Sequence, residues 1–132
     1  MRCQKRLLTD SPVQAIYSLE MGKHLDNPEL LPGTLYLLIL RTLRGGPLHG
    51  YAIAKRIKEA SDHGLDIEDG SLYPALNRML VKGWLAAEWG ISENNRKARF
   101  YRLTADGRKQ LTQETDEFDR LVRAIQSVLR TA

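Results

Sequence analysis

The chain has 132 residues, 42% of them hydrophobic, and a formal net charge of +4, which suits one domain with a modest core. Its longest apolar run, Leu35 to Leu40, is far short of the ~20 residues of a membrane span. The single Cys3 forbids an intrachain disulfide, and His24, His49 and His63 lack metal-ligand spacing.

The charge excess lies wholly in residues 34–104, with eleven cations against seven anions, while each flank balances. A polyanionic partner is thereby allowed in that segment but not required. Ahead of it, residues 1–28 read as an N-terminal extension. Ser11–Pro12 suits a helix start, and Val13, Ile16 and Tyr17 make a short apolar stripe, so a helix from Pro12 to Met21 is one reading. The other is that translation begins at Met21. Asp26, Asn27 and Pro28 break any helix there. No apolar run follows the basic start at Met1 to Leu8, so a secretory leader is not expected and a soluble, cytoplasmic protein is.

The next element runs from Leu30 to Leu43, opened by Pro32–Gly33–Thr34 with Thr34 as the expected N-cap. Leu35, Tyr36, Leu37, Leu38, Ile39, Leu40 and Leu43 make it apolar almost all round. Such a helix must be buried on several sides, and Leu35 and Leu38 are candidates for contact with a second subunit. Arg44–Gly45–Gly46–Pro47 ends it. A second helix spans His49 to Ala60, with Ile53, Ala54, Ile57 and Ala60 inward and Lys55, Arg56 and Lys58 elsewhere. A turn from Asp62 to Leu65, containing Gly64, follows.

Ile67 to Trp84 is the stretch the rest is organised to hold. Leu72, Leu76, Met79 and Leu80 fall on one face of a helix. The other face carries Ser71, Tyr73, Asn77, Arg78 and Lys82, with no carboxylate. Pro74 is tolerable only near a helix start, which puts the start at Asp69 to Ser71 with one of those two as N-cap. Gly83 is the stop. Two short helices joined by a Gly-containing turn, the second with a polar outer face, describe a helix-turn-helix. Its first helix would cross the phosphate backbone, giving Lys55 and Lys58 a role beyond that of a solvated face.

Trp84 to Trp89 and Ala98 to Leu103 read as the two strands of a hairpin. Leu85, Ala87 and Trp89 share one face of the first, and Tyr101 and Leu103 share one of the second. From Gly90 to Thr104 there are four cations, Arg96, Lys97, Arg99 and Arg102, against Glu93 alone. Like charges crowded on a hairpin are unfavourable unless an anion arrives, and a duplex backbone would supply it.

Thr104 is the expected N-cap of a last helix of about 25 residues, roughly 37 Å long. Leu111, Phe118 and Ile125 recur every seven residues, and so do Thr115, Val122 and Leu129, offset by four. That is an a/d seam of about three heptads, more than the small body before it can cover, so a second copy of the chain is the expected partner. The simpler alternative is a terminal helix folded back on its own domain. The fold class is therefore mainly α with a small β-hairpin (α+β): a winged helix-turn-helix in residues 29–104 and a long C-terminal dimerisation helix in 105–132.

The sequence also resembles the PadR family of bacterial transcriptional regulators. The matching residues are Gly33–Thr34–Leu35, Leu38–Ile39–Leu40, His49–Gly50–Tyr51 and Ile53. They continue through Gly70–Ser71–Leu72–Tyr73–Pro74–Ala75–Leu76, Arg78–Met79–Leu80 and Gly83–Trp84. Arg96–Lys97, Tyr101–Arg102–Leu103–Thr104 and Gly107 complete the set. The resemblance implies a homodimeric repressor that binds a palindromic site on double-stranded DNA, without a cofactor. The expected DNA contacts are Lys55, Ser71, Tyr73, Pro74, Asn77, Arg78, Arg96, Lys97 and Arg99, with Tyr73 at the position of a DNA-contacting tyrosine in the family. The expected dimer contacts are Leu35, Leu38, Leu111, Phe118, Val122, Ile125 and Leu129. Some compact members hold flat aromatic compounds in a cavity between subunits, which makes Phe118 a candidate effector contact as well as a core-filling residue.

Two rival classes are open to the residues themselves. A winged helix serving only protein–protein contact would associate with DNA weakly and without sequence preference. An enzyme finds little support: no nucleophile–base pair and no Gly-rich phosphate loop is evident. Asp66, Glu68 and Asp69 sit before a helix start, where acids are expected anyway. The operator, the regulated genes and the effector are not written in the sequence.

Overall fold

A computed structural model describes residues 33–131; the extension at 1–28 and its candidate helix lie outside the described residues. The element order is α1 (Thr34–Leu43), β1 (Leu48–His49), α2 (Gly50–Ala60), α3 (Asp69–Val81), β2 (Leu85–Ile91), β3 (Lys97–Leu103) and α4 (Ala105–Thr131). The three strands form one antiparallel sheet in the order β1-β3-β2. This is the winged helix-turn-helix with a C-terminal helix that the pattern of apolar residues announced.

The core gathers one face from each element: Ile39, Leu40 and Leu43 of α1, Ile53 and Ile57 of α2, Leu72, Ala75, Leu76 and Met79 of α3, then Leu85, Tyr101 and Leu103 from the sheet. The periodic residues of α3 are thus buried, Leu80 only partly. The helix closes as expected. Gly83 has φ +80°, Gly83 N–H donates to Leu80 O and Trp84 N–H to Met79 O, the paired bonds of a glycine-terminated helix.

Several boundaries differ from the expectation. Gly33, in the left-handed region at φ 89°, caps α1, and Thr34 is already helical with no side-chain cap. The second helix begins at Gly50, because Leu48 and His49 pair with Tyr101 and Phe100 as a short third strand. His49 then caps the helix, its Nδ1 accepting the Ala52 N–H at 3.2 Å. In the following turn the left-handed conformation falls on Asp62 and His63, not on Gly64. Glu68 caps α3 without a side-chain bond, so neither Asp69 nor Ser71 does. Pro74 consequently lies in the second turn, where its missing N–H leaves the Gly70 carbonyl without its helical donor. Gly70 is exposed, so water can serve that carbonyl. The hairpin strands reach further than expected, to Ile91 and from Lys97, and shorten the loop between them.

The Thr104 cap is present: its hydroxyl donates to Gly83 O at 2.6 Å and accepts the Gly107 N–H at 3.0 Å. Gly107 lies so close to Trp84 O that an added Cβ would fall 2.1 Å from it. These contacts fix the direction in which the 27 residues of α4 leave the body. Only Gly107 and Leu111 of that helix are buried.

Candidate nucleic-acid interface

Ser71, Tyr73, Pro74, Asn77 and Arg78 are all exposed on α3, opposite the buried leucines. At ~100° per residue, Tyr73 and Arg78 lie about 140° apart, with Asn77 and Pro74 between them. Each flank is held from a different side. On one, the Tyr73 ring packs over Gly50 so closely that a Cβ there would come within 2.7 Å of its Oη. Burial raises the Tyr73 phenol above its ordinary value, and Asp69 and then Tyr101 push the same way. The phenol therefore stays protonated near neutral pH, able to donate as well as accept.

On the other flank, Arg78 Nε–H donates to the Tyr36 hydroxyl at 2.6 Å, and the guanidinium lies over the Tyr36 ring, 5.7 Å from its centroid. Tyr36 meets Trp84 edge-on at 5.6 Å. A three-residue stack drawn from α1, α3 and the start of the hairpin thus orients the arginine, and its remaining donors are left for another partner. Just past the helix, the Lys82 ammonium stands 5.2 Å from the centre of the Trp84 ring.

In the wing, the sheet register separates the cations. Lys97 and Arg99 share a face with Tyr101 and Leu103, opposite Ile91 and Trp89 respectively. Arg102 points to the other face, opposite Ala86, and Arg96 lies just before β3, where its N–H donates to the Ser92 hydroxyl. The Lys97 ammonium is 5.1 Å from the Trp89 ring centre, and the Arg99 guanidinium is 5.8 Å from that of Tyr101. Tyr101, buried beneath Arg99, also acts on the Tyr73 phenol, so a core residue links the face bearing Lys97 and Arg99 to that flank of α3.

Glu93, the lone acid between Gly90 and Thr104, accepts a bond from His49 Nε2–H at 3.1 Å. The N-cap role of Nδ1 assigns the proton to Nε2. That hydrogen bond is the chief cause of a Glu93 carboxyl below its usual range; the Glu93 backbone N–H and the charges of His49 and Lys55 contribute in the same sense. Lys55 is exposed on α2, whereas Lys58 is paired with Asp66 at 3.5 Å and so carries less net charge outward.

The expected dimer residues divide. Leu35 and Leu38 are partly buried against the core. Leu111, expected at the head of the seam, is 7% exposed and packs in the chain's own core. Beyond it nothing among the described residues covers the stripe: Phe118 is 43% exposed, Ile125 47% and Leu129 72%, and Val122 is partly buried. A groove of about 410 Å³ runs between α1 and α4, lined by Arg41, Arg44, Arg108, Leu111, Thr112, Thr115 and Asp116; Phe118 is not part of it. Among the described residues no three His, Cys, Asp or Glu side chains are grouped to hold a metal, and no helix is long and apolar enough to cross a membrane. Trp89 and Ile91 are both exposed: strand alternation puts Trp89 on the core face, and Ile91, expected in the loop, extends the strand beyond it.

Comparison with known proteins agrees with this geometry. Residues 39–113 match the profile described as the transcriptional regulator PadR-like family. A transcriptional regulator of Mycobacterium tuberculosis is 34% identical over 89 residues, covering 67% of this chain and 79% of that protein. An uncharacterised transposon-borne protein of Streptomyces fradiae is 40% identical over 85 residues, but the match spans only 23% of its length. Among solved structures, a PadR family transcriptional regulator from Eggerthella lenta superposes with a TM-score of 0.66 at 30% identity, covering 92% of this chain and all of that one.

Proposed function

The chain belongs to the PadR-like family of transcriptional regulators, and on that footing we propose that it is a repressor that binds a palindromic operator as a homodimer. Its work is regulation and not enzymatic catalysis. The observation that carries the reading is a polar helix face beside a basic wing. The outer face of α3 carries Ser71, Tyr73, Pro74, Asn77 and Arg78, and the wing carries Arg99 and Lys97, with the buried Tyr101 linking the two: Arg99 lies over its ring, and it acts on the Tyr73 phenol. A helix seated in a major groove with such a wing on the adjoining backbone has side chains that read base edges, and cations that position. Arg78 is the residue best prepared to grip a guanine edge. Lys55, on the preceding helix, and Arg96, at the wing tip, serve phosphates.

Dimerisation would use the α4 stripe at Phe118, Val122, Ile125 and Leu129, together with Leu35 and Leu38 of α1. Two-fold symmetry in the protein calls for two half-sites about one helical turn apart. A flat aromatic compound lodged between the two α4 helices would meet Phe118 and release the operator by changing how the recognition helices are spaced.

A footprint on the region upstream of the protein's own gene tests the reading. Protection of a two-fold symmetric site is expected. Weak association indifferent to sequence would instead make this a winged helix for protein contact, and the proposal would fall.

A further inference from the structure

The distal half of the wing carries two large apolar side chains that the other described residues leave largely uncovered. Trp89 is 64% and Ile91 65% exposed, although both share the sheet face whose proximal half, Leu85, Tyr101 and Leu103, is buried. A single exposed apolar residue is ordinary. Two of them at i and i+2, each directly opposite a cation, are less so. Trp89 pairs with Arg99 and Ile91 with Lys97, and the Lys97 ammonium lies over the indole.

We propose that Trp89 and Ile91 are themselves DNA-contacting residues, resting their apolar surface on deoxyribose edges of the minor groove while Lys97 and Arg99 hold the phosphates on either side. This rests on the reading of the chain as a DNA-binding regulator and extends it to a contact no charge can supply. Charge complementarity selects the occupant. The patch is rimmed by cations, so it fits an anionic polymer with apolar sugar faces. Position selects it too. Through the buried Tyr101, whose ring lies under Arg99 and which acts on the Tyr73 phenol, this face adjoins the recognition helix, so a duplex seated on α3 would present its next groove to this half of the wing. Apolar side chains placed in a minor groove are an established physical means of holding and opening it.

An apolar contact releases no counterions, which gives the test its resolving power. Trp89→Ala and Ile91→Ala should each weaken operator binding roughly ten- to a hundredfold, the worth of burying one large apolar side chain, with the slope of log K against log salt unchanged. Lys97→Ala should reduce that slope by about 0.9. In hydroxyl-radical footprints, which report on sugars, Trp89→Ala should lose protection beside each half-site. Protection of guanine N7 in the major groove should persist. Ile91→Ser is a second variant at an exposed site, and thermal melts check that each variant is folded. Wild-type affinity in both alanine variants overturns the inference, as does an altered salt slope. So does a change in sedimenting mass, which would assign the patch to a second copy of the chain. A wild-type protein that protects no DNA at all would instead end the functional reading beneath it.

Discussion

Arg78 shows how a surface residue is made ready by residues far away in the sequence. Its Nε is bonded to Tyr36, 42 positions earlier, and the ring beneath it holds the guanidinium in place. Arg78→Ala should cost about 1–3 kcal/mol of operator binding and relax specificity at one base position. Tyr36→Phe keeps the ring but removes the hydroxyl, so a smaller loss of about 1 kcal/mol is expected, with specificity relaxed at the same position. Competition binding against single-base operator variants measures both. On the opposite flank, Gly50→Ala forces a choice, since a methyl there overlaps the Tyr73 ring. The ring is the free end of a side chain and can swing away. The variant should therefore melt near the wild-type temperature yet bind operator weaker by about 1–2 kcal/mol, the worth of a misplaced hydrogen bond to a charged group.

At the scale of elements, the wing tip is tied to the start of α2 by a bond between His49, which caps α2, and Glu93. Because the Glu93 carboxyl is depressed in the folded protein, it adds stability above the ordinary carboxylate range. That contribution fades as pH falls through the lower folded value. Amide exchange in β2 and β3, corrected for the intrinsic rate at each pH, should therefore quicken in acid. Glu93→Gln should flatten this dependence, and an unchanged pH profile in the variant would assign the effect elsewhere. Elements also show where sequence patterns stop informing. Leu48 and His49 form a strand too short to alternate, so only its pairing with Tyr101 and Phe100 reveals it. Asp62 and His63 take the left-handed turn that Gly64 seemed placed to make, because the turn is closed by bonds back to Glu59 and Lys58.

For the whole molecule, the proposed dimer depends on α4. At 27 residues it is about 40 Å long, and its apolar stripe emerges from the body after Leu111. The two ends should respond differently to mutation. Leu111→Ala opens a cavity in the chain's own core and should lower stability by about 2–5 kcal/mol in denaturant melts. Val122→Asp should leave the winged-helix body folded but buries a charge in the expected seam, so light scattering should report a monomer. A dimeric Val122→Asp protein would remove the coiled-coil argument.

Periodicity along the chain determined the buried and outward faces of α3, the two long strands of the wing and the apolar stripe of α4. Each of those is a property of side chains a few positions apart on one element, and solvation sorts them without reference to the rest of the fold. Only the tertiary structure decided that Leu111 packs in the chain's own core, that Arg78 is clamped by Tyr36, that Trp89 stands uncovered on a face the alternation would bury, and that the strand runs on to an exposed Ile91. Those outcomes depend on how far the neighbouring elements extend, and a one-dimensional pattern carries no record of where the surface that covers a residue comes to an end.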